Sequence, residues 1–286
     1  MSGEFWISQA FNGISYGALL FLLAAGLSLI FGVMRVVNLA HGSYFMLGGY
    51  VGLSVVWRTD SFLLALLAGA VAVGLIGVGM ERLFLRRLPG QTLGQVLMTI
   101  GFALIFQDLA LLIWGGDPYT IPVPEPLRGS FRVGRLAFPA YRIFIVVVAA
   151  VVGAALWLAL DRTRIGARIR AAVDDAEMAQ GVGINVPAVS LGVFALGACL
   201  AAVGGVVGGA FLGVYPGADF EVLPYAFVVV IVGGLGSLPG AMVGSLLVGL
   251  LDNFGKALFP ELSYFTLFAP MALILALRPT GLFGRA

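Results

Sequence analysis

Charge, cysteine and histidine are scarce in this chain. Charged residues make up 10% of its 286 residues and hydrophobic ones 60%, which leaves too little polar surface to cover a water-soluble globule of this size. The single cysteine, Cys199, has no partner for an intramolecular disulfide and no companions for a metal set, so it reads as a small core residue. With one histidine, His41, and no pair of carboxylates at helical spacing inside a span, nothing is placed for metal-assisted or acid–base bond chemistry. Ser237 in "GLGSLPG" does not sit in a G-x-S-x-G elbow. "GLLDNFGKA", Gly249 to Ala257, is one residue too long for a phosphate loop and has Ala257 where a magnesium-binding hydroxyl belongs. An enzyme, a metal site and a nucleotide site are therefore not expected on this chain. A net charge of +2 gives nucleic-acid binding no support. No Lys or Arg precedes Arg35, so the first apolar run lacks the basic start of a cleavable signal peptide and is expected to persist as a span.

What the chain has is length in its apolar runs. A bilayer core needs about 20 apolar residues per helical span, and "IFIVVVAAVVGAALWLAL" is apolar on every face, unlike the alternating strands of a membrane barrel. The reading is an all-α polytopic membrane protein, one transmembrane domain over 1–286. Spans are placed near 5–34, 36–57, 62–82, 94–114, 141–160, 188–213, 225–236, 240–257 and 263–277: roughly eight full helices plus one short or re-entrant helix, the seventh, bounded by Pro224 and "GGLGSLPG". With the N-terminus outside, ten of the 16 Lys and Arg residues fall on the cytoplasmic side: Arg35, Arg82, Arg86, Arg87, Arg162, Arg164, Arg168, Arg170, Arg278 and Arg285. The Pro-rich loop near 115–140 holds Arg128, Arg132 and Arg135 and argues the other way. Its prolines favour extended or turn structure, and either a docking surface or a plain connector fits.

Small residues recur every fourth position along the sixth span, at Gly197, Ala201, Gly205, Gly209 and Gly213, which reads as close helix packing in lipid. Asp108 stands out as an acidic residue well inside a span and keeps a proton-coupled carrier in view. Between spans, "DRTRIGARIRAAVDDAEMAQGVGINVP", about 161–187, predicts a short amphipathic helix from Gly166 to Gln180, capped at Gly181. Ile169, Ala172, Val173, Ala176 and Ala179 share one face. An alanine-rich face suits a protein groove better than lipid, and both a partner protein and the chain's own bundle fit it.

Three stretches, "GLSLIFGVMRVVNLAHGSYFMLGGYVG", "RTRIGARIRAAVDDAEMAQGVGINV" and "VVGGLGSLPGAMVGSLLVGLLDN", resemble the LivH-type permeases of bacterial ABC importers for branched-chain amino acids and related small polar solutes. The resemblance implies a bacterial inner-membrane subunit, whose C-terminus the Lys and Arg distribution above puts in the cytoplasm. It implies a second, LivM-like permease subunit, two cytoplasmic ABC ATPases and a periplasmic solute-binding protein, with ATP and magnesium on the ATPases and no cofactor on this chain. It also makes the 161–187 segment a coupling helix, with Arg170, Ala171, Asp175, Ala179, Gly183 and Ile184 matching the family pattern.

Branched-chain amino acids are the expected solutes, urea or short amides the alternative, and Asn38, His41, Ser43, Gln107 and Asn253 are the polar groups able to line a pathway or gate for any of them. A proton-coupled carrier and a membrane hydrolase are the readings of another class. "RVVNLAHGSYFMLGGYVG" then reads as a polar joint at the cytoplasmic end of the first two spans, with Arg35, Asn38 and Gly42 on one helical face and Asn38 and His41 sharing another. Scaffold and gate both fit Asn38 and His41.

Overall fold

The computed structural model describes residues 3–134 and 136–284; Arg135 and Arg285, assigned to opposite sides above, lie outside the described residues. Six helices are long and apolar enough to cross a membrane. They are α1 (Gly3–Met34), α3 (Phe62–Leu83, extended by a 3-10 turn to Arg87), α4 (Thr92–Trp114), α5 (Ala140–Arg162), α8 (Val186–Gly209) and α10 (Leu238–Leu258). Three shorter helices, α2 (His41–Thr59), α9 (Ala218–Gly233) and α11 (Ser263–Leu277), complete the bundle, and α6 (Arg164–Asp174) and α7 (Ala176–Gly181) lie between α5 and α8. The loop after α4 carries a small antiparallel hairpin, β1 (Ser130–Val133) with β2 (Leu136–Pro139), turning at Gly134. The all-α membrane architecture thus stands, with six helices long and apolar enough to span and α2, α9 and α11 beside them among the described residues.

Two expected spans begin elsewhere. The second does not start near residue 36: α2 begins at His41, and Val36–Ala40 is non-helical. The seventh starts at Ala218, and Pro224 lies inside it. A proline seven residues into a helix removes a single rung close to an end whose first donors are unpaired anyway, so it does not mark the boundary. At the other end the chain's own tail closes α9, with Leu282 N–H donating to Val232 O and Phe283 N–H to Gly233 O, both at 2.9 Å.

Packing places α1 at the centre. Its most apolar stretch is 78% buried, against 28% for α3, 22% for α4 and 17% for α5, and those three turn Leu63, Leu75, Leu93, Leu112 and Val151 outward as a lipid-facing surface would. The main contacts follow a pattern. α1 packs on α10 and α8 packs on α3; α2 is held by α3 and α8, and α9 by α10 and α1. Exchanging α1–α4 for α8–α11 reproduces these pairs while reversing the direction of travel, the signature of an inverted repeat, with α5 to α7 outside it.

Such packing depends on bare backbone, because lipid offers no hydrophobic drive for one helix to leave it for another. A Cβ on Gly48 would run into the backbone of Ala202, and one on Gly205 into the Phe45 carbonyl. The expected small-residue stripe accordingly packs helices from Gly197 to Gly209; Gly213 lies past the end of α8, at φ +86°.

Chain connectivity gives the bundle two ends. The ends of α1, α3 and α5 and the starts of α4, α8 and α10 form an arginine-rich side; the hairpin marks the opposite side.

Candidate functional site

Arg35 N–H donates to Phe31 O at 2.8 Å, and Arg35 adopts the left-handed conformation, φ +53°, which a residue with a Cβ adopts rarely. The chain leaves the helix there and turns back beside α1. His41 Nε2 lies 2.9 Å from Leu23 O, a position eleven residues before the end of α1, about 16 Å along the axis at 1.5 Å per residue. The polar joint is therefore not at the end of the first two spans but well inside the bundle, and Arg35, Asn38 and Gly42 do not share a helical face.

Buried non-helical backbone needs partners, and three of its N–H groups find them close by. Leu39 N–H donates to Thr99 Oγ1 of α4 at 3.2 Å, Ala40 N–H to Asn38 Oδ1 at 3.1 Å, and His41 N–H to Asn38 O at 3.3 Å. Leu23 O can only accept, so Nε2 carries the imidazole proton and Nδ1 is a bare acceptor. Ser43, in the first turn of α2, donates to Asp219 Oδ2 at 2.7 Å, and Asp219, 2% exposed, sits in the first turn of α9. Gly42 faces the Asp219 backbone, where a Cβ would lie 3.1 Å from the carbonyl carbon. Two helix N-termini thus meet inside the bundle with one carboxylate between them, where their partial positive charges favour an anion. Among the described residues, Asn38 Nδ2, His41 Nδ1 and Asp219 Oδ1 have no hydrogen-bond partner.

The second break, between α8 and α9, is held by loop pairing: Tyr119 N–H donates to Val214 O at 2.9 Å and Val214 N–H to Tyr119 O at 2.7 Å. Gln107 stands beside it, its Nε2 3.6 Å from where a Cβ on Gly217 would be. Of the five expected pathway groups, Asn38, His41 and Ser43 come together and Gln107 lies at the neighbouring break. Asn253 is half-buried on α10, next to Asp252, which binds Lys256 Nζ at 2.8 Å and Tyr225 OH at 3.1 Å.

Asp108 is exposed, whereas the buried acids in or at the ends of the membrane helices are Glu81, Asp219 and Asp252. Asp219 and Thr99 are not among the polar groups the sequence points to, Asp219 because Pro224 reads as a helix boundary in the sequence alone. Its signal was an acid between the turn residues Pro216–Gly217 and an apolar run.

The arginine-side segment is two helices, not one. Asp175 is extended, at φ −153°, and its Oδ1 accepts from Met178 N–H at 2.9 Å, so its side chain starts α7 where a continuous helix was expected. Thr163 caps α6 and Asn185 caps α8 in the same manner. The C-terminal turn is Gly183, not Gly181: Gly183 has φ +89°, and Ile184 N–H donates back to Ala179 O at 2.9 Å.

Ala172, Ala179 and Val186 form a small core with Ala171, Ile184 and Val189. Ala176, expected on the apolar face, is exposed. Arg170 donates to Leu160 O and lies 3.8 Å from Asp161. Of the six family-matched positions, Ala179 is buried, Ala171 and Ile184 are half-buried, and Arg170, Asp175 and Gly183 are exposed. The segment also turns three apolar side chains outward, Ile165 (68%), Met178 (65%) and Val182 (71%).

Comparison with known proteins places this arrangement. The family model described as branched-chain amino acid transport system, permease component, matches residues 9–277. The permease protein BraD of the high-affinity branched-chain amino acid transport system of Pseudomonas aeruginosa is 32% identical, over 98% of this chain and 96% of its own. The corresponding protein LivH of Escherichia coli K12 is 31% identical, over 100% and 98%, and the ribose import permease protein RbsC of the same organism is 27% identical, over 95% and 84%. No solved structure matches. A family match and this level of identity, both running through the two breaks and the arginine-side segment, have one consequence: the chain belongs to the permease components of branched-chain amino acid transport systems.

Proposed function

We propose that the chain is the membrane permease subunit of an ATP-driven importer for branched-chain amino acids, and that with a second permease subunit it forms the pathway. Full-length identity to BraD and LivH carries the reading. That identity exceeds the identity to a ribose permease, which supports amino acids over other solutes. In this reading the chain is a multi-pass protein of the bacterial inner membrane with the arginine-rich side in the cytoplasm. Two ATPases dock on that side, one of them on α6 and α7 of this chain, holding ATP and magnesium themselves, and a periplasmic binding protein delivers solute to the hairpin side.

Transport follows from two states of the bundle. Closure of the ATPase pair displaces α6–α7, α8 moves with them through the Ala172, Ala179 and Val186 core, and the rearrangement reaches α2 at Gly48 and Gly205. The joint of Asn38, His41, Ser43 and Asp219 then opens the pathway to one side at a time. Work is done only through the difference in affinity of the two states for solute and nucleotide. The test is leucine uptake into proteoliposomes holding both permeases and both ATPases, with loaded binding protein outside and ATP inside. Uptake lost on omitting any one component is the expected result. Uptake that persists without ATPases and collapses with a protonophore overturns the reading in favour of a secondary carrier.

A further inference from the structure

Glu81, in the last turn of α3, is 2% exposed, and a carboxylate so placed needs a partner that stays with it. Arg86 supplies one as a fork, with Nε donating to Glu81 Oε1 at 3.2 Å and Nη2 to Glu81 Oε2 at 3.0 Å. The same Nη2 donates to the carbonyl of Pro187 at 3.1 Å. Pro187 is the second residue of α8, where the α6–α7 segment re-enters the bundle. One guanidinium therefore pins the end of α3 to the start of α8, across 101 positions of sequence.

The rest of the α3–α8 contact is already close. Cys199 Sγ lies 3.2 Å from Ala70 O, and a Cβ on Gly77 would come to 2.8 Å from that of Ala198. Small-residue contacts resist separation but let helices slide; a bidentate ion pair fixed to a backbone carbonyl at the end of the pair resists sliding too. We propose that Arg86 is a positioning residue for transport: it makes α3 move with the first turn of α8 when the ATPases displace α6–α7, so that both walls holding α2 shift as one body. Lys in its place supplies a point charge without the fork.

This inference rests on the permease reading above. Its test uses the complete complex with its binding protein in proteoliposomes and reads ATP hydrolysed per leucine imported. Arg86→Lys, and the double variant Glu81→Gln with Arg86→Met, which leaves no lone buried charge, are expected to assemble and hydrolyse ATP while that ratio rises about five-fold or more, the lower bound of common coupling effects. A ratio equal to wild type in both, with uptake reduced only in proportion to assembled complex, overturns the inference and leaves a merely structural ion pair. Wild-type complex that imports leucine without ATP overturns the permease reading itself, and this inference with it.

Discussion

Asp219 is held by one hydroxyl and two helix ends, and that makes its energetics readable. Ser43→Ala removes the donor 2.7 Å from Oδ2 and leaves a buried carboxylate oxygen unpaired, a loss of about 1–3 kcal/mol. Asp219→Asn keeps an acceptor for Ser43 and loses only the charge facing the N-termini of α2 and α9, so a smaller loss is expected. Because the two side chains act as one unit, Ser43→Ala and Asp219→Ala together should cost less than their sum by about 0.5–3 kcal/mol. Thermal unfolding of the purified complex in detergent measures all of these, and strictly additive losses would remove Asp219 from the joint.

At the scale of elements, α6 and α7 separate what folds the segment from what a partner would meet. Met178 and Val182 are 65% and 71% exposed, so Met178→Glu and Val182→Glu should change the chain's own stability by no more than about 0.5 kcal/mol. They place charge on the apolar face proposed to dock the ATPase, and co-purification with the ATPases should fall at least about ten-fold, the effect of 1.4 kcal/mol. ATPase recovery equal to wild type would move the interface elsewhere. Apolar length told where the helices are but not where they break. "VVNLA" is as hydrophobic as a helix interior, and its backbone leaves the helix with the help of partners that the fold and Asn38 supply, Thr99 Oγ1 for Leu39 N–H and Asn38 Oδ1 for Ala40 N–H. Asp175 hid a break in a different way: its capping bond to Met178 N–H competes with continuation of the helix, and a segment of good helix formers masks that choice. Asn38, His41 and Ser43 were legible as polar residues in an apolar setting, whereas Asp219, 176 positions from Ser43, became part of the joint only through the fold.

For the molecule as a whole, the distribution of charge favours the proposed direction across the membrane, and that direction can be measured. The arginine-rich side carries Arg82, Arg86, Arg87, Arg162, Arg164, Arg168 and Arg170 in short connections next to helix ends, where basic residues weigh most in orientation. On the hairpin side the basic residues are fewer, and several are tied down: Arg128 faces Glu125 at 3.8 Å, Lys256 binds Asp252, and Arg142 meets Asn12 and the Phe211 ring. Counting by side therefore supports the proposal that the hairpin lies outside. With Cys199 replaced by alanine, new cysteines at two glycines with nothing within 4 Å, Gly129 near the hairpin and Gly181 at the end of α7, report the two sides. Gly129→Cys should react with a membrane-impermeant maleimide in intact cells, and Gly181→Cys only after permeabilisation. The reverse pattern would put α6 and α7 on the side away from ATP, and no ATPase could then drive the bundle through them.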